Sequence, residues 1–237
     1  MKQIHFNIIN STNQYLKENY KKLEHLTIVT ADHQTNGRGR FNRKWEDKDD
    51  LLFSILIKEN LNTPIDYSLV IAKTVLTVLN NYLGNLSIKW PNDIMVGDRK
   101  ICGILLEGVT TSKIECVIIG VGININTKEF SDGLLIKATS IYNEIAKEIN
   151  KLDLLNEIKE EFLNDYYDYI KGNKDYLNII NNNFYLRNKK VTFTYNNKLL
   201  NGKVIGLNEN GKLIINKDGE LIEISSGEVT LTNVYKS

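Results

Sequence analysis

The sequence of 237 residues predicts an α+β region followed by a small all-β region. Strand-like and helix-like segments alternate over the first two-thirds of the chain, and short strands with tight turns replace them after about Arg187. A content of 42% hydrophobic and 25% charged residues is typical of a globular protein. We therefore predict two domains, residues 1–186 and 187–237, which pack directly on each other because no Pro/Gly-rich linker separates them.

The first elements of the α+β region follow from local signals. A helix is predicted from Ser11 to about Leu23, followed by a strand at 27–31 and a buried strand at 51–57. A longer helix from Tyr67 to Leu83 ends at Gly84, which suits a helix C-cap. One face of this helix is apolar and carries Leu69, Ala72, Val75, Leu76, Leu79 and Leu83.

The middle of the chain contains three further strand candidates. The segments 86–90 and 99–107 lie on either side of Gly97-Asp98, a pair that suits a type II′ hairpin turn. The apolar run 114–124 predicts another buried strand. Helical periodicity returns at 140–149 and at 153–170.

The last fifty residues are typical of a small β-barrel. Five short strands are separated by turn sequences at 196–197, 209–211, 218–219 and 226–227. Strands of this length with Asn/Asp-Gly turns predict a small closed barrel.

Composition excludes several classes of protein. The formal net charge of +1 gives no overall field to recruit nucleic acid or an anionic membrane. Residues 1–15 are too polar for a signal peptide, and no apolar run is long enough to cross a bilayer. The three histidines lack metal-ligand spacing, and Cys102 and Cys116 lie in apolar runs as expected of buried free thiols. We expect a soluble cytoplasmic protein.

The first motif is Ser11-Thr12-Asn13-Gln14. Ser-x-x-Gln is a capping box, in which the two side chains satisfy the first amides of a helix. Adjacent hydroxyl groups at a helix start are also suited to binding a small polar ligand. Taken alone, the motif favours the structural role.

The second motif is the segment 34–45, in which Gly37 and Gly39 flank Arg38, and Arg40 follows. Glycines let the backbone approach a ligand closely, and arginine donors match phosphate or carboxylate. No Gly-Lys-Ser/Thr follows, so this is not a P-loop. Acidic residues at 46–50 would repel a polyanion, so a local anion site is favoured over a nucleic-acid patch.

The third motif combines Lys89-Trp90-Pro91-Asn92-Asp93 with the strand that contains Lys100 and Gly103. Pro-Asn-Asp alone predicts only a turn. However, Lys89 and Lys100 occur in otherwise apolar strands, and a buried lysine needs an anionic partner. Gly103 within a strand indicates that another group approaches the backbone closely.

The fourth motif is the segment 120–124, Gly-Val-Gly-Ile-Asn. It lacks the third glycine and the following helix of a dinucleotide-binding fingerprint. It is compatible with a strand that ends against a ligand, with Asn124 as an amide contact.

Together, these motifs resemble those of biotin–protein ligases. STNQ, Q-x-x-GRGR-x-x-R-x-W, KWPND, K-x-x-G-I-L and G-x-G-x-N occur in the order and spacing of that family, from residue 10 to about 125. The all-β region is similar to the family's small C-terminal domain. The resemblance implies a mixed β-sheet flanked by helices, like the catalytic fold of class II aminoacyl-tRNA synthetases, followed by a small SH3-like β-barrel.

The resemblance also implies the reaction. Biotin and ATP would give biotinyl-5′-AMP and pyrophosphate, with Mg²⁺ neutralising phosphate charge, and biotin would then pass to a lysine of a biotin carboxyl carrier domain. The biotin-binding residues would be Ser11, Thr12, Asn13, Gln34, Gly37, Arg38 and Gly103. The nucleotide-binding residues would be Arg38, Arg40, Trp45, Asn92, Lys100 and Asn124. The catalytic residues would be Arg38, Arg40, Lys100 and Asp93, of which Asp93 would hold Mg²⁺ or accept the proton of the incoming lysine.

The chain departs from the family pattern at two places. Residues 41–43 replace a second glycine-containing turn found in many relatives, so the loop 34–45 should be stiffer. Lys203 stands in the stretch where some relatives place an arginine near the adenine, which puts the barrel's nucleotide contact in doubt. We expect the loop 34–45 to order when biotin binds, because the adenylate must be protected from water.

Other functions remain open on the sequence alone. A lipoate or octanoate ligase shares the catalytic architecture, but GRGR with KWPND favours biotin. A biotin- or adenylate-binding regulator without catalysis is disfavoured by Lys100, Arg38 and Arg40, and a nucleic-acid-binding barrel leaves the N-terminal motifs unexplained.

The resemblance also bears on partners. The first motif begins at Ser11, which leaves no room for the N-terminal DNA-binding module of bifunctional relatives, so we expect no DNA binding. Relatives can dimerise through sheet edges, and the sequence leaves monomer and homodimer open. The carrier domain of an acetyl-CoA carboxylase is the expected protein partner.

Overall fold

The fold was analysed in a computed structural model, which describes all residues except 47, 62, 64, 132, 135–136, 196–197, 226–230 and 236–237. In chain order the elements are β1 (Gln3–Ile9), α1 (Thr12–Asn19), β2 (Ile28–Gln34), β3 (Leu51–Ile57), α2 (Asp66–Leu79), β4 (Leu86–Lys89), β5 (Asp93–Val96), β6 (Arg99–Thr110), β7 (Ile114–Ile123), α3 (Ile141–Ile145), α4 (Lys151–Ile170), α5 (Asp175–Asn182), β8 (Lys190–Tyr195), β9 (Lys198–Leu207), β10 (Leu213–Lys217), β11 (Glu220–Ile224) and β12 (Leu231–Tyr235). Across these ranges, every helix is too short or too polar to span a membrane.

The first seven strands form one mixed sheet in the order β1-β2-β3-β7-β6-β5-β4. β1 and β2 are parallel, and the other neighbours are antiparallel. All seven residues of β3 are buried at the centre of the sheet, which confirms the strand predicted from its apolar run. The β5–β6 hairpin turns at Gly97, which has φ +56, a value that suits the predicted turn.

Two strands, β1 and β5, were not predicted. β1 is an edge strand of half-buried and exposed residues, none of which is buried. β5 begins at Asp93, directly after the turn predicted for Pro-Asn-Asp. β1 is therefore defined by its backbone pairing with β2, whereas β5, with three buried residues, is too short to show a strand pattern in the sequence.

The helices begin and end at identifiable residues. The side chain of Ser11 caps α1 by accepting a hydrogen bond from the amide of Gln14, and the helix ends at Asn19 rather than at Leu23. α3 stops at Ile145, short of the predicted 149, because Ala146 takes the left-handed conformation. α4 agrees with its prediction, whereas the Asn-rich α5 was not predicted.

A half-buried ionic cluster joins α2 to α4. The ammonium group of Lys73 lies 2.6 Å from carboxylate oxygens of both Glu161 and Asp165, and Thr74 donates a hydrogen bond of 2.6 Å to Asp165. Burial raises the pKa of Asp165, and the hydrogen bonds with Lys73 and Thr74 oppose that rise. The cluster therefore depends on Lys73 to compensate the two carboxylates.

The remaining strands form an antiparallel sheet in the order β11-β10-β9-β8-β12. This confirms a small five-stranded β region, with β11 and β12 at its edges. Pairing between these edges, which would close the predicted barrel, is not present among the described residues. The predicted turn at Asp218-Gly219 is present with positive φ at both residues, while those at 196–197 and 226–227 lie outside the described residues.

The two sheets pack directly against each other. The indole of Trp90, at the end of β4, donates a hydrogen bond of 3.3 Å to the carbonyl oxygen of Gly211 in the β9–β10 turn. A Cβ atom at Gly211 would lie 2.6 Å from the side chain of Leu69, so the turn lies close against α2. The sequence downstream of β4 is thereby held against the second sheet.

Candidate active site

A cavity of about 60 Å³ lies where α1, the 34–45 segment, β6 and β7 meet. It is lined by Ser11, Thr12, Asn13, Gln34, Arg38, Gly39, Arg40, Trp45, Leu52, Phe53, Asn92, Lys100, Gly103, Ile104, Leu105, Gly120, Val121 and Gly122. Most of the predicted site residues are therefore brought together. Gly37, Asp93 and Asn124 lie outside this lining.

One end of the cavity is formed by the first helical turn of α1. Ser11 is 6% exposed and both caps the helix and lines the cavity, so the structural and ligand-binding readings of this motif are compatible. Gln14 instead donates to Glu18, so the reciprocal half of the predicted capping box is not formed. The side-chain oxygen of Gln34 accepts a hydrogen bond of 2.7 Å from the backbone amide of Thr12.

A network of buried polar groups continues behind this end. The hydroxyl groups of Thr12 and Ser54 are 2.6 Å apart, and Ser54 donates a hydrogen bond of 2.5 Å to Asn13. Asn13 in turn donates a hydrogen bond of 2.8 Å to Glu107, which also accepts one of 3.0 Å from Arg38. The network thus connects both ends of the 34–38 segment to the sheet.

Gly120 makes room for this network. A Cβ atom there would lie 2.9 Å from Cγ of Asn13, so the amide group of Asn13 occupies the space above the glycine. This close approach gives a physical reason for the first glycine of Gly-Val-Gly-Ile-Asn.

The arginine-containing segment folds as a tight hairpin. The amide of Gly39 donates to the carbonyl oxygen of Arg43, and the amide of Trp45 donates to that of Gly37. At the tip, Phe41 is 75% exposed and takes φ +57, a left-handed conformation that is uncommon for a bulky residue. A side chain at Gly37 would press on Gln34, because a Cβ atom there would lie 3.3 Å from its amide nitrogen.

Arg40 points to the opposite end of the cavity. Its guanidinium group donates a hydrogen bond of 3.2 Å to Asn92, which itself donates to the carbonyl oxygen of Ile104. Burial lowers the pKa of Arg40, and nearby Asp93 opposes that change. The guanidinium group nevertheless stays protonated at neutral pH, so this end of the cavity is cationic.

Lys100 adds a second cation at this end. Its ammonium group lies 2.7 Å from Oδ1 of Asp93 and 5.3 Å from the centre of the Trp45 ring. The anionic partner predicted for a lysine in this strand is therefore Asp93. The ion pair is partly exposed, with 31% of the Lys100 side chain and 23% of the Asp93 side chain accessible, so it can be reached by a ligand.

Trp45 lies against two glycines of the sheet. A Cβ atom at Gly103 would lie 2.7 Å from the indole, and one at Gly122 would lie 2.6 Å from it. The close approach predicted at Gly103 is confirmed, and the approaching group is Trp45. The indole nitrogen is buried and has no hydrogen-bond partner among the described residues.

Asn124 lies behind the cavity rather than in its wall. It is 4% exposed, and its amide donates a hydrogen bond of 2.8 Å to the carbonyl oxygen of Thr139. The same backbone region pairs with Lys100, so Asn124 helps to hold that strand. Its contact with a nucleotide stays a prediction.

The comparisons with known proteins identify the family. Residues 5–124 match the model of the Biotin/lipoate A/B protein ligase family. The chain belongs to this family. Residues 188–231 match the Biotin protein ligase C terminal domain, which corresponds to the second sheet of this ligase-family chain.

Two relatives of this family member are ligases that also act as repressors. Bifunctional ligase/repressor BirA of Bacillus subtilis is 29% identical over 222 residues, which cover 86% of this chain and 66% of the relative. The protein of the same name from Escherichia coli is 28% identical over 241 residues, which cover 97% of this chain and 74% of the relative. This chain therefore spans just under two-thirds of the length of the Bacillus protein.

A solved structure of the family has the same fold. Biotin protein ligase from Aquifex aeolicus, in complex with biotin and ATP, superimposes with a TM-score of 0.88 at 27% identity, and 98% of each chain is covered. The mixed sheet with flanking helices, followed by a small SH3-like antiparallel sheet, is thus the architecture of the biotin protein ligases.

Two residues of the site were missed by the sequence analysis. Ser54 is a single hydroxyl residue within the apolar strand β3, and a polar group in a buried strand signals a hydrogen-bonding partner. Glu107 follows the K-x-x-G-I-L motif in β6 and is only 18% exposed in its side chain. The first could have been noticed from its strand, whereas the second required knowing how α1 and the 34–45 segment pack on the sheet.

Proposed function

We propose that this chain is an ATP-dependent biotin–protein ligase. It activates biotin to biotinyl-5′-AMP with release of pyrophosphate, and then transfers biotin to a lysine of a biotin carboxyl carrier domain. The observation that supports this is one cavity with hydroxyl and amide groups at one end and the cations Arg40 and Lys100 at the other, with Arg38 also in its wall. The Aquifex aeolicus relative is named as a complex with biotin and ATP, which matches the two ends.

The hydroxyl and amide end suits the ureido ring of biotin. Ser11, Thr12 and Gln34 supply donors and acceptors for a small polar ring, and Gly103 with neighbouring apolar residues would flank the rest of the molecule. Because Gly37 has no side chain, it leaves room for the side chain of Gln34. Asn13 contributes through its hydrogen bonds to Ser54 and Glu107.

The cationic end suits the first chemical step. A biotin carboxylate attacks the α-phosphorus of ATP, so two anions must be brought together while charge builds on the phosphate oxygens. Arg38, Arg40 and Lys100 stabilise that charge, and Asn92 orients Arg40. Trp45 supplies an aromatic surface for the adenine.

Asp93 is the carboxylate that suits a bound Mg²⁺. Among the described residues there is no cluster of three potential metal ligands, but Mg²⁺ is usually held by one or two carboxylates together with substrate phosphates. Bound there, Mg²⁺ would neutralise phosphate charge. Asp93 also holds Lys100 in place, since the two form an ion pair at 2.7 Å.

The second step requires a proton acceptor for the carrier lysine, and Asp93 is also suited to that role. Replacement by Asn distinguishes its two functions. Loss of pyrophosphate exchange in Asp93→Asn would assign Asp93 to the first step, through Mg²⁺ or Lys100. Retained exchange with loss of transfer from preformed biotinyl-5′-AMP would assign it to proton acceptance in the second step.

The hairpin at 37–45 would open to admit both substrates. The present cavity of about 60 Å³ is much smaller than the roughly 300–1,000 Å³ of typical ligand pockets. We expect the segment 34–45 to be mobile without ligand and to order over the adenylate when biotin binds, which excludes water. Equal protease cleavage of this segment with and without biotin would contradict the expectation.

The two sheets belong to two domains with different proposed functions. We propose residues 1–186 as the catalytic domain and 187–237 as a small domain that contacts the nucleotide or the carrier. The protein partner is the biotin carboxyl carrier domain, and the DNA binding of the bifunctional relatives is not carried over. A cytoplasmic location is part of the proposal, because Cys102 and Cys116 are free and buried, as suits a reducing compartment.

The oligomeric state stays a prediction. Within the described residues, β1 is an open edge of the large sheet, whereas residues 183–185 bond to β4 at the other edge. If a homodimer forms through a sheet edge, β1 is therefore the strand we expect it to use. Sedimentation equilibrium would measure the state directly.

Biotin-dependent exchange of labelled pyrophosphate into ATP tests the proposed function. The wild-type chain should support exchange with biotin but not with lipoate, and Lys100→Ala should lower the rate by about 10²–10³-fold, as for loss of one preorganised charge-stabilising group. Exchange with lipoate instead would indicate a lipoate ligase. Tight biotin binding without any exchange would indicate a binding protein and refute the enzymatic assignment.

A further inference from the structure

A directed chain of hydrogen bonds links the α1 end of the cavity to Glu107. The hydroxyl oxygens of Thr12 and Ser54 are 2.6 Å apart, Ser54 lies 2.5 Å from Oδ1 of Asn13, and Nδ2 of Asn13 lies 2.8 Å from Oε2 of Glu107. Thr12, Ser54 and Asn13 are each less than 5% exposed. Because only Thr12 and Asn13 line the cavity, Ser54 and Glu107 act from behind it.

The carboxylate of Glu107 determines the direction of every bond in this chain. A carboxylate only accepts hydrogen bonds, so Asn13 must turn its NH₂ group toward Glu107 and its oxygen toward Ser54. The single proton of Ser54 is then donated to Asn13. The 2.6 Å contact with Thr12 is a hydrogen bond only if Thr12 donates its own proton to Ser54.

The hydroxyl proton of Thr12 therefore points away from the cavity. The second contact of its oxygen, 3.1 Å from Gln34, is the longer one, and the Gln34 oxygen is already held at 2.7 Å by the backbone amide of Thr12. What Thr12 presents to a ligand is thus a lone pair and not a donor. Its ligand partner must carry an N–H or O–H group.

We propose that Glu107 is a specificity-determining residue, which sets the hydrogen-bond polarity of the pocket so that Thr12 accepts an N–H of the cyclic urea of biotin. This inference rests on the proposed function. A ring without an N–H, such as the dithiolane ring of lipoate, leaves this buried acceptor unpaired. A site built to accept a hydrogen bond discriminates strongly against ligands that cannot donate one.

The same carboxylate also holds one of the arginines proposed to bind anions. Oε1 of Glu107 accepts a hydrogen bond of 3.0 Å from Arg38 and lies 3.7 Å from the ammonium group of Lys17. A loss of the charge at position 107 could therefore act through Arg38 instead of through Asn13. The test has to separate these two routes.

A reversed donor–acceptor pair separates them. Asn13→Asp places two carboxylates face to face, and their repulsion displaces position 13 from Ser54, so the Kd for biotin should rise about tenfold or more, while the KM for ATP changes less than about threefold. Adding Glu107→Gln supplies an amide donor from position 107 to the carboxylate at position 13. This removes the repulsion between the two carboxylates while position 13 keeps its acceptor for Ser54, so the double variant should recover biotin affinity to within about threefold of wild type, although the Arg38 ion pair is absent.

Isothermal titration with biotin and pyrophosphate exchange over a range of ATP concentrations give these quantities. Wild-type biotin affinity in Asn13→Asp, or failure of Glu107→Gln to rescue it, would overturn the proposal. If Asn13→Asp does not fold, Ser54→Ala decides, because it frees the Thr12 proton. It should weaken biotin binding about five- to tenfold with an unchanged KM for ATP, and unchanged biotin affinity would refute the inference.

Two comparisons complete the design. Glu115→Gln is the matched control, because Glu115 lies on the adjacent strand β7 and accepts an exposed hydrogen bond of 2.7 Å from Thr111. It should leave biotin affinity at the wild-type value. A wild-type chain that neither binds biotin nor exchanges pyrophosphate would refute the proposed function, whereas an active wild type with the contrary variant results refutes only the role of Glu107.

Discussion

Adding one methyl group at Gly122 tests whether the position of Trp45 matters for nucleotide binding. In Gly122→Ala, the new Cβ atom would lie 2.6 Å from Cε2 and 2.7 Å from Cζ2 of the indole. Carbon atoms in contact prefer about 3.5–4.0 Å, so the ring must retreat by about 1 Å. Because Trp45 sits at the end of a surface hairpin, it can move outward without disturbing the core.

The expected effects follow from that displacement. Overpacking costs about 1–3 kcal/mol, and a movable ring places this substitution at the lower end, near 1 kcal/mol, or about 2–4 °C in Tm for a chain of this size. Stacking on an aromatic ring contributes about 1–3 kcal/mol per base, so partial loss should raise the KM for ATP about tenfold. Pyrophosphate exchange at varied ATP concentration measures the KM, and thermal melting measures the Tm.

Gly108→Ala is the matched control on the same sheet. The atoms nearest to a Cβ there are 4.0 Å away, which is ordinary van der Waals contact. This variant should keep the wild-type KM and Tm. A wild-type KM for ATP in Gly122→Ala, or an equal loss in both variants, would refute the role assigned to Trp45.

Three further predictions concern residues outside the cavity. Lys73→Met leaves two half-buried carboxylates without their cation, so the free energy of unfolding in urea should fall by about 2 kcal/mol. Burial lowers the pKa of His25 below its ordinary 6.5, so its neutral form stabilises the fold above that pH and the contribution is lost as the pH falls through the lowered pKa. The Tm of wild type should therefore fall further between about pH 7.5 and about pH 5 than that of His25→Asn. Trp90→Phe removes the indole donor to Gly211 and should lower the free energy of unfolding by about 1 kcal/mol.

Each of these predictions has an outcome that contradicts it. Lys128→Met removes an exposed ion pair and should leave the free energy of unfolding at its wild-type value, so equal effects in the two lysine variants would refute the role assigned to the Lys73 cluster. Parallel pH profiles for wild type and His25→Asn would show that this histidine does not titrate with folding. An unchanged stability of Trp90→Phe would mean that the indole hydrogen bond does not hold the two sheets together.

The sequence was most informative where burial is continuous. β3 and β7 are apolar along almost their whole length, so their strands could be predicted from composition alone. β1 could not, because an edge strand is stabilised by pairing with β2 and leaves alternate residues in water. The same reasoning applies to α5, where only one face of an Asn-rich segment is buried.

The site residues could be predicted where they belong to motifs with a recognisable order and spacing. The motifs around Ser11, Arg38 and Lys100 meet in one cavity, as the resemblance implied. The roles of Glu107 and Ser54 could not be assigned, because both bond to Asn13 and only the packing of α1 against the sheet brings the three residues together. Asn124 was expected to contact the ligand from its place in a motif. In the structure its side chain instead donates a hydrogen bond to a backbone carbonyl oxygen behind the cavity.

The contact between Trp90 and Gly211 has a consequence for dividing the protein into fragments. Trp90 directly precedes Pro91-Asn92-Asp93, so the β9–β10 turn touches the residue beside the catalytic segment. A chain that ends at residue 186 would leave this indole without its acceptor and uncover apolar surface around Leu69. We expect such a fragment to be poorly active alone and to regain activity when residues 187–237 are supplied as a separate polypeptide that docks onto Trp90.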